Sequence, residues 1–142
     1  MIAIDTNLLV YAFRRGLPEH RPAQQALEKA MADQRGWGMA YACLVEFWSV
    51  VTHAAMPGAT VSTKRTAEFM DSLCREGGAQ IWFPAHGFST RLYQLAAEQD
   101  VRGGAIFDLQ IALMAVDHGA TELWTHDRGF RSIAGLRIID PL

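Results

Sequence analysis

The chain has 142 residues, half of them hydrophobic, with 13 lysines and arginines against 15 aspartates and glutamates. That length suffices for one domain with its own core, and the formal charge of −2 excludes the basic excess that would announce a nucleic-acid binder, so any contact with RNA or DNA must rest on local groups. No apolar run is long enough to span a membrane, no secretory leader precedes the first apolar segment, and Cys43 and Cys74 lack the paired spacing of a zinc site or disulfide framework; a cytoplasmic protein with two ordinary thiols is expected.

In chain order, "IAID" predicts a short buried strand over residues 2–5, and "NLLVYAF" a helix closed by Arg14, Arg15 and Gly16. "RPAQQALEKAMAD" predicts a second helix, with Ala26, Leu27, Ala30 and Met31 at helical spacing. "GWGMAY" reads as a strand. "ACLVEFWSVVTHA" reads as a helix with Leu44, Phe47, Trp48 and Val51 as its apolar stripe. "PGAT" predicts a turn, after which Ser62 caps a helix running to about Arg75. "QIWF" is the next strand, residues 87–99 the next helix, and "VRGG" its end. "AIFDLQIALMAVDHG" is the most hydrophobic helix, ended by Gly119; "ELWTHD" and "RIID" are the last strands. No repeat, linker or low-complexity tract divides the chain, so residues 1–142 are expected to form a single domain.

Short apolar strands alternating with helices predict an α/β fold, a three-layer α/β/α sandwich around a mainly parallel sheet of four to five strands. Right-handed crossovers then gather the loops at the strand C-termini on one rim, where ligands bind in such folds.

Asp5 sits at the end of the first strand, directly between two apolar segments, and Asp127 ends "LWTHD". Both are expected on that rim. Glu46 falls in the opening turns of its helix, away from the apolar stripe, where the helix dipole favours a carboxylate. Asp108 lies in an almost wholly apolar helix, beside the small Ala112 and Ala115, and is expected to be largely buried; Gln110 and Asp117 mark the opposite, solvent edge. Two carboxylates 4 Å apart repel by roughly 4 kcal/mol at an effective dielectric of 20. Four together raise one another's pKa values unless a cation joins them. Oxygen-only ligands suit a hard divalent ion such as Mg²⁺ or Mn²⁺. Such an ion makes water a usable nucleophile near neutral pH and neutralises charge on phosphorus, which fits phosphodiester hydrolysis best. The expectation is that Asp5, Asp108 and Asp127 hold metal, with Glu46 as a ligand or water-orienting base. Arg14, Arg15, Arg102 and Arg128 are candidates for phosphate contacts. The five histidines are scattered, without metal-ligand spacing.

These residues also resemble a known family. "MIAIDTNLLVYAF", the lone glutamate of "LVEFWSV", "FDLQIALMAVDHGA", "LWTHDRGF" and the closing "FRSIAGLRIIDPL" are similar to a PIN-domain ribonuclease, and more narrowly to the VapC-type toxin of a bacterial type II toxin–antitoxin pair. The resemblance runs over the whole chain. It implies a PIN-like sandwich and a metal-dependent endoribonuclease, using Mg²⁺ or Mn²⁺, that blocks translation by cutting cellular RNA. It also implies a homodimer and a neutralising antitoxin, with no membrane partner. The family's acids map onto Asp5, Glu46, Asp108 and Asp127, and its neighbouring polar groups onto Thr6, Asn7 and Thr125, which would orient carboxylates or water. Two positions depart from the pattern. Gly129 stands where many relatives carry a further acid, which implies a weaker second metal, and Tyr41 stands where a Ser or Thr is common.

Other readings fit less well. A haloacid-dehalogenase-type phosphatase would want a second aspartate where Asn7 stands, and both it and a receiver module would want a lysine at the rim; Lys29 and Lys64 are the only lysines, both in helices. No Gly-rich dinucleotide loop follows a strand. A catalytically inactive PIN-like module that binds RNA or protein remains as the alternative, with Leu8, Leu9, Tyr11, Phe13 and Leu17 as a candidate apolar groove.

Overall fold

The computed structural model describes residues 1–53 and 61–142, and within them the elements run β1 (Ile2–Ile4), α1 (Thr6–Phe13), α2 (His20–Ala32), β2 (Trp37–Ala40), α3 (Tyr41–Thr52), α4 (Thr63–Arg75), β3 (Gln80–Trp82), α5 (Phe88–Glu98), α6 (Ala105–Asp117), β4 (Glu122–Trp124) and β5 (Arg137–Ile139). The strands form one sheet in the order β3-β2-β1-β4-β5, and every pairing is parallel. This is the α/β sandwich the alternation predicts. The turn expected at "PGAT" lies outside the described residues.

The topology fixes where a site can form. The first two crossovers step from β1 to β2 to β3, and the third returns past β1 to β4. Right-handed crossovers in opposite directions place their helices on opposite faces. Accordingly α1 to α4 pack among themselves and α5 packs on α6. The direction reverses between β1 and β4, which opens a crevice beyond their C-terminal ends.

β1 is central and its Ile2, Ala3 and Ile4 are all buried, as a strand covered on both faces must be. α1 contributes Leu8, Leu9, Val10, Ala12 and Phe13 to the same core. Leu8 and Leu9 are therefore packing residues, while Phe13, 5% exposed, also borders a surface groove. Gly38 of β2 is required by close approach: a Cβ there would stand 2.5 Å from the Gln80 carbonyl oxygen and 2.7 Å from the Trp82 ring. Ser62 caps α4 as expected, its hydroxyl accepting from the Arg65 N–H at 3.1 Å.

Three local readings change. α1 ends at Phe13, with Arg14 already extended as its C-cap, so no basic residue stands in the last turn. α3 buries Cys43, Phe47 and Val51, while Trp48 is 39% exposed with Tyr41 and Val45 beside it on the surface. The predicted stripe was rotated because the helix is apolar on two faces, and periodicity alone does not say which one meets the sheet. Met31 of α2 is likewise exposed while Ala26, Leu27 and Ala30 are buried.

Candidate active site

At the β1–β4 crevice lies a cleft of about 290 Å³ whose walls include Asp5, Glu46, Asp108 and Asp127. Residues up to 122 positions apart in sequence are brought together here by the switch in strand direction.

Asp5 stands where β1 passes into α1. Its side chain caps that helix, Oδ1 accepting from the Thr6 N–H at 2.7 Å. Oδ2 accepts from Asn7 Nδ2 at 2.8 Å and from the Thr125 hydroxyl at 2.7 Å. Thr125 in turn accepts from Asn7 Nδ2 at 2.7 Å and from the Asp127 N–H at 3.0 Å. Asn7 Oδ1 accepts from the His126 N–H at 3.1 Å. One amide side chain thus ties the end of β1 to the loop after β4. Thr6 donates its hydroxyl to Glu46 Oε2 at 2.6 Å, tying α1 to α3.

Asp127 does not end a strand. β4 stops at Trp124, and Asp127 lies exposed in the following loop. The ladder lapses because β1 has turned into α1, and Asn7 takes over the backbone N–H that a neighbouring strand would have bound. Glu46 lies beyond the first turn of α3, which holds no acid, so the dipole contributes little and the Thr6 hydroxyl orients it instead. Asp108 is in the first turn of α6 and is half-buried rather than largely buried, because the cleft opens beside it.

The electrostatics reflect the crowding. Asp5 is 7% exposed, and its carboxyl is pushed up to about 6. Burial is the main cause, opposed by the Thr125 and Thr6 hydrogen bonds and reinforced by the charges of Glu46 and Asp108. Asp108 is raised by burial, then by Asp127 and Glu46. Tyr11, also on the cleft wall, is raised by burial, Glu19 and Asp127.

Among the described residues, no three His, Cys, Asp or Glu side chains stand close enough to form a ready metal cluster. Three of the four carboxylates are instead turned to local donors: Asp5 as above, Glu46 to Thr6, and Asp127 Oδ1 to the Gly129 N–H at 2.7 Å. The donor set still suits a hard cation. It is all oxygen, its buried member carries a pKa raised chiefly by burial, and Glu46 and Asp127 are exposed on the cleft wall.

None of the four arginines considered for phosphate binding lines this cleft. Arg14 reaches the Val50 carbonyl at 3.5 Å. Arg15 borders a different groove, beside Phe13 and Phe69. Arg102 pairs with Asp100 at 2.8 Å, and Arg128 is exposed after Asp127. What the sequence did not signal is the apolar wall: Val10, Tyr11, Val50, Phe107 and Ile111 also line the cleft. Nor did it signal His126 Nδ1 meeting Asp140 at 2.9 Å, a pair that holds the end of β5 against the acid-bearing loop.

Comparison with known proteins places the chain in a family. The PIN domain family model matches residues 2–136. Ribonuclease VapC43 of Mycobacterium tuberculosis is 32% identical over 142 residues, covering 100% of this chain and 96% of the relative. Ribonuclease VapC48 of the same organism is 29% identical over 140 residues, covering 96% and 94%. Among solved structures, the sarcin–ricin-loop-cleaving toxin VapC20 of M. tuberculosis superposes with a TM-score of 0.70 at 12% identity, over 92% of each chain. VapBC2 of Rickettsia felis, bound to a promoter DNA fragment, gives 0.68 at 19% identity, over 98% of each. With the family model matching nearly the whole chain and its relatives aligning end to end, the chain belongs to the PIN-domain family, among its VapC-type members.

Proposed function

We propose that this protein is a divalent-metal-dependent endoribonuclease, the toxin of a toxin–antitoxin pair, acting on cellular RNA in the cytoplasm. The observation that carries the reading is the meeting of Asp5, Glu46, Asp108 and Asp127 in one cleft. The names of the relatives, ribonucleases, and of the solved neighbours, toxin–antitoxin complexes, support it. A module that only binds would have no use for four carboxylates that repel one another.

Asp5, Asp108 and Asp127 would hold the metal, with Mg²⁺ the ion and Mn²⁺ its substitute. When bound, the ion neutralises charge on the phosphodiester and makes water a usable nucleophile near neutral pH. The chain's own residues supply the rest. Asn7 and Thr125 fix the Asp5 carboxylate from two sides. Thr6 holds Glu46 at the cleft edge, where it can take a proton from the attacking water. The apolar wall limits water around the scissile bond.

The catalytic unit would be a homodimer. Tyr41, Val45 and Trp48 are 45%, 47% and 39% exposed along one side of α3, and Tyr41 stacks on Phe83 with ring centroids 5.1 Å apart. An apolar surface of this kind is what a second copy would cover.

The test is to incubate the purified protein with total cellular RNA and Mg²⁺ and to map new 5′ ends. Discrete cleavage that stops in excess EDTA and with added cognate antitoxin is expected. Intact RNA with Mg²⁺ and with Mn²⁺ would overturn the reading.

A further inference from the structure

Phe107 is 66% exposed, the most exposed large hydrophobic side chain among the described residues. It is not spare surface on a remote helix. It precedes Asp108 in the first turn of α6 and lines the acidic cleft. α6 lies on the opposite face of the sheet from α3, so Phe107 does not extend the exposed α3 stripe.

The same cleft poses an electrostatic problem. Its walls carry four carboxylates and no lysine or arginine. An RNA strand is a polyanion, and phosphate contacts ordinarily supply most of its affinity for protein. Here a metal would neutralise only the phosphate at the reacting centre, and the flanking backbone meets no cation on the cleft wall. At the cleft wall itself the contacts must therefore come from groups on the RNA other than phosphate, since Arg14 at the Val50 carbonyl and Arg128 after Asp127 stand outside that wall. The nucleobase is the group that suits Phe107: it is flat, largely apolar on its faces, and tethered one sugar away from the phosphodiester. Base–aromatic stacking is strong enough for the task and tolerant of sequence.

Resting on the ribonuclease reading, we propose that Phe107 is a substrate-positioning residue that stacks on a nucleobase next to the scissile phosphate. The base must be unpaired, because a base inside an A-form helix already has both faces covered. Phe107 thereby places the phosphate against the carboxylates. Tyr11 of α1 is the other aromatic side chain that lines the cleft.

The test pairs a protein change with an RNA change. The substrate is a short RNA spanning a cleavage site mapped with the wild-type enzyme, either intact or with an abasic nucleotide beside the cut bond. Binding is read by fluorescence anisotropy in EDTA, and cleavage separately with Mg²⁺. Phe107→Ala should weaken binding of the intact RNA about tenfold, as expected for a lost stack, with the loss falling on KM rather than kcat. Phe107→Tyr should restore it, and Phe107→Leu, apolar but not flat, should not. The abasic nucleotide should weaken wild-type binding by a similar factor and add nothing in Phe107→Ala. Unchanged thermal unfolding of the variants is expected from the exposure of Phe107 and separates positioning from folding.

An affinity in Phe107→Ala equal to wild type overturns the proposal, whether or not the variant escapes its antitoxin. So does an abasic effect that persists undiminished in Phe107→Ala. If the wild type cuts RNA and either result is found, this inference alone falls. If the wild type cuts no RNA, the ribonuclease reading falls and this inference with it.

Discussion

Asp5 and Glu122 are both buried carboxylates, 7% and 8% exposed, and they have opposite surroundings. Glu122 accepts from Arg137 at 2.6 Å and from Arg35 at 3.2 Å. Burial pulls its pKa up, but the hydrogen bonds from Arg137 and Arg35 outweigh it and the net shift is downward. Asp5 has hydrogen-bond donors but no cation, and stands near 6. Glu122 is a structural acid, pinning β4 to β5 and to the turn before β2; Asp5 has no such counter-charge and faces the cleft, the surroundings expected of an acid used in the proposed chemistry. Glu122→Gln should cost about 1–3 kcal/mol in urea unfolding, discounted for the exposed arginines, and leave RNA cleavage in place. Asp5→Asn should abolish cleavage. Its stability should depend on pH in a definite sense. Because burial favours protonated Asp5, the folded wild-type state holds this proton more tightly than the unfolded chain. Metal-free wild type therefore loses stability as pH rises from 3.8 to about 6, by up to about 3 kcal/mol from this group. Over that window, unfolding in EDTA should shift in favour of Asp5→Asn relative to wild type. Asn7→Ala, which severs the bonds to Asp5, Thr125 and the His126 N–H, should reduce cleavage about 10–100-fold.

The elements show what was legible in the chain and what was not. Strand and helix positions were readable because the buried strands are short apolar runs and several helices carry a start or stop signal, as at Ser62 and Gly119. The acids Asp5 and Glu46 stood out because polar residues interrupt apolar segments there. Three things were not readable. The strand order depends on long-range pairing, so the meeting of Asp5 with Asp127 was an inference from fold class. The outward face of α3 was hidden because both of its faces are apolar. The aromatic wall at Phe107 was hidden because an exposed phenylalanine in an apolar helix reads as core. Glycines carry constraints of this long-range kind as well. Gly38→Ala should separate β2 from β3 at Trp82 and cost about 1–3 kcal/mol, measurable by thermal unfolding. At Gly129 a Cβ would come within 3.1 Å of Asp127 Oδ1. Glycine at this position thus leaves room for Asp127 to turn back on its own loop.

At the scale of the molecule, the sheet acts as a frame that sets α1, α3, α6 and the loop after β4 around one crevice, and its reversal between β1 and β4 decides where that crevice lies. The exposed α3 stripe lies beside this cleft through Glu46, so the proposed dimer face and the acidic cleft share an element. Trp48→Glu should shift the protein from dimer to monomer in sedimentation and leave its circular dichroism unchanged. The central claim is that these carboxylates are together because a divalent cation sits among them, and a metal titration at pH 7 followed by thermal unfolding tests it most directly. The account predicts that Mn²⁺ or Mg²⁺ raises the unfolding temperature of wild type in a saturable way and has no such effect on Asp5→Asn or Asp108→Asn. Equal unfolding temperatures with and without metal in wild type, or the same rise in all three proteins, would contradict it.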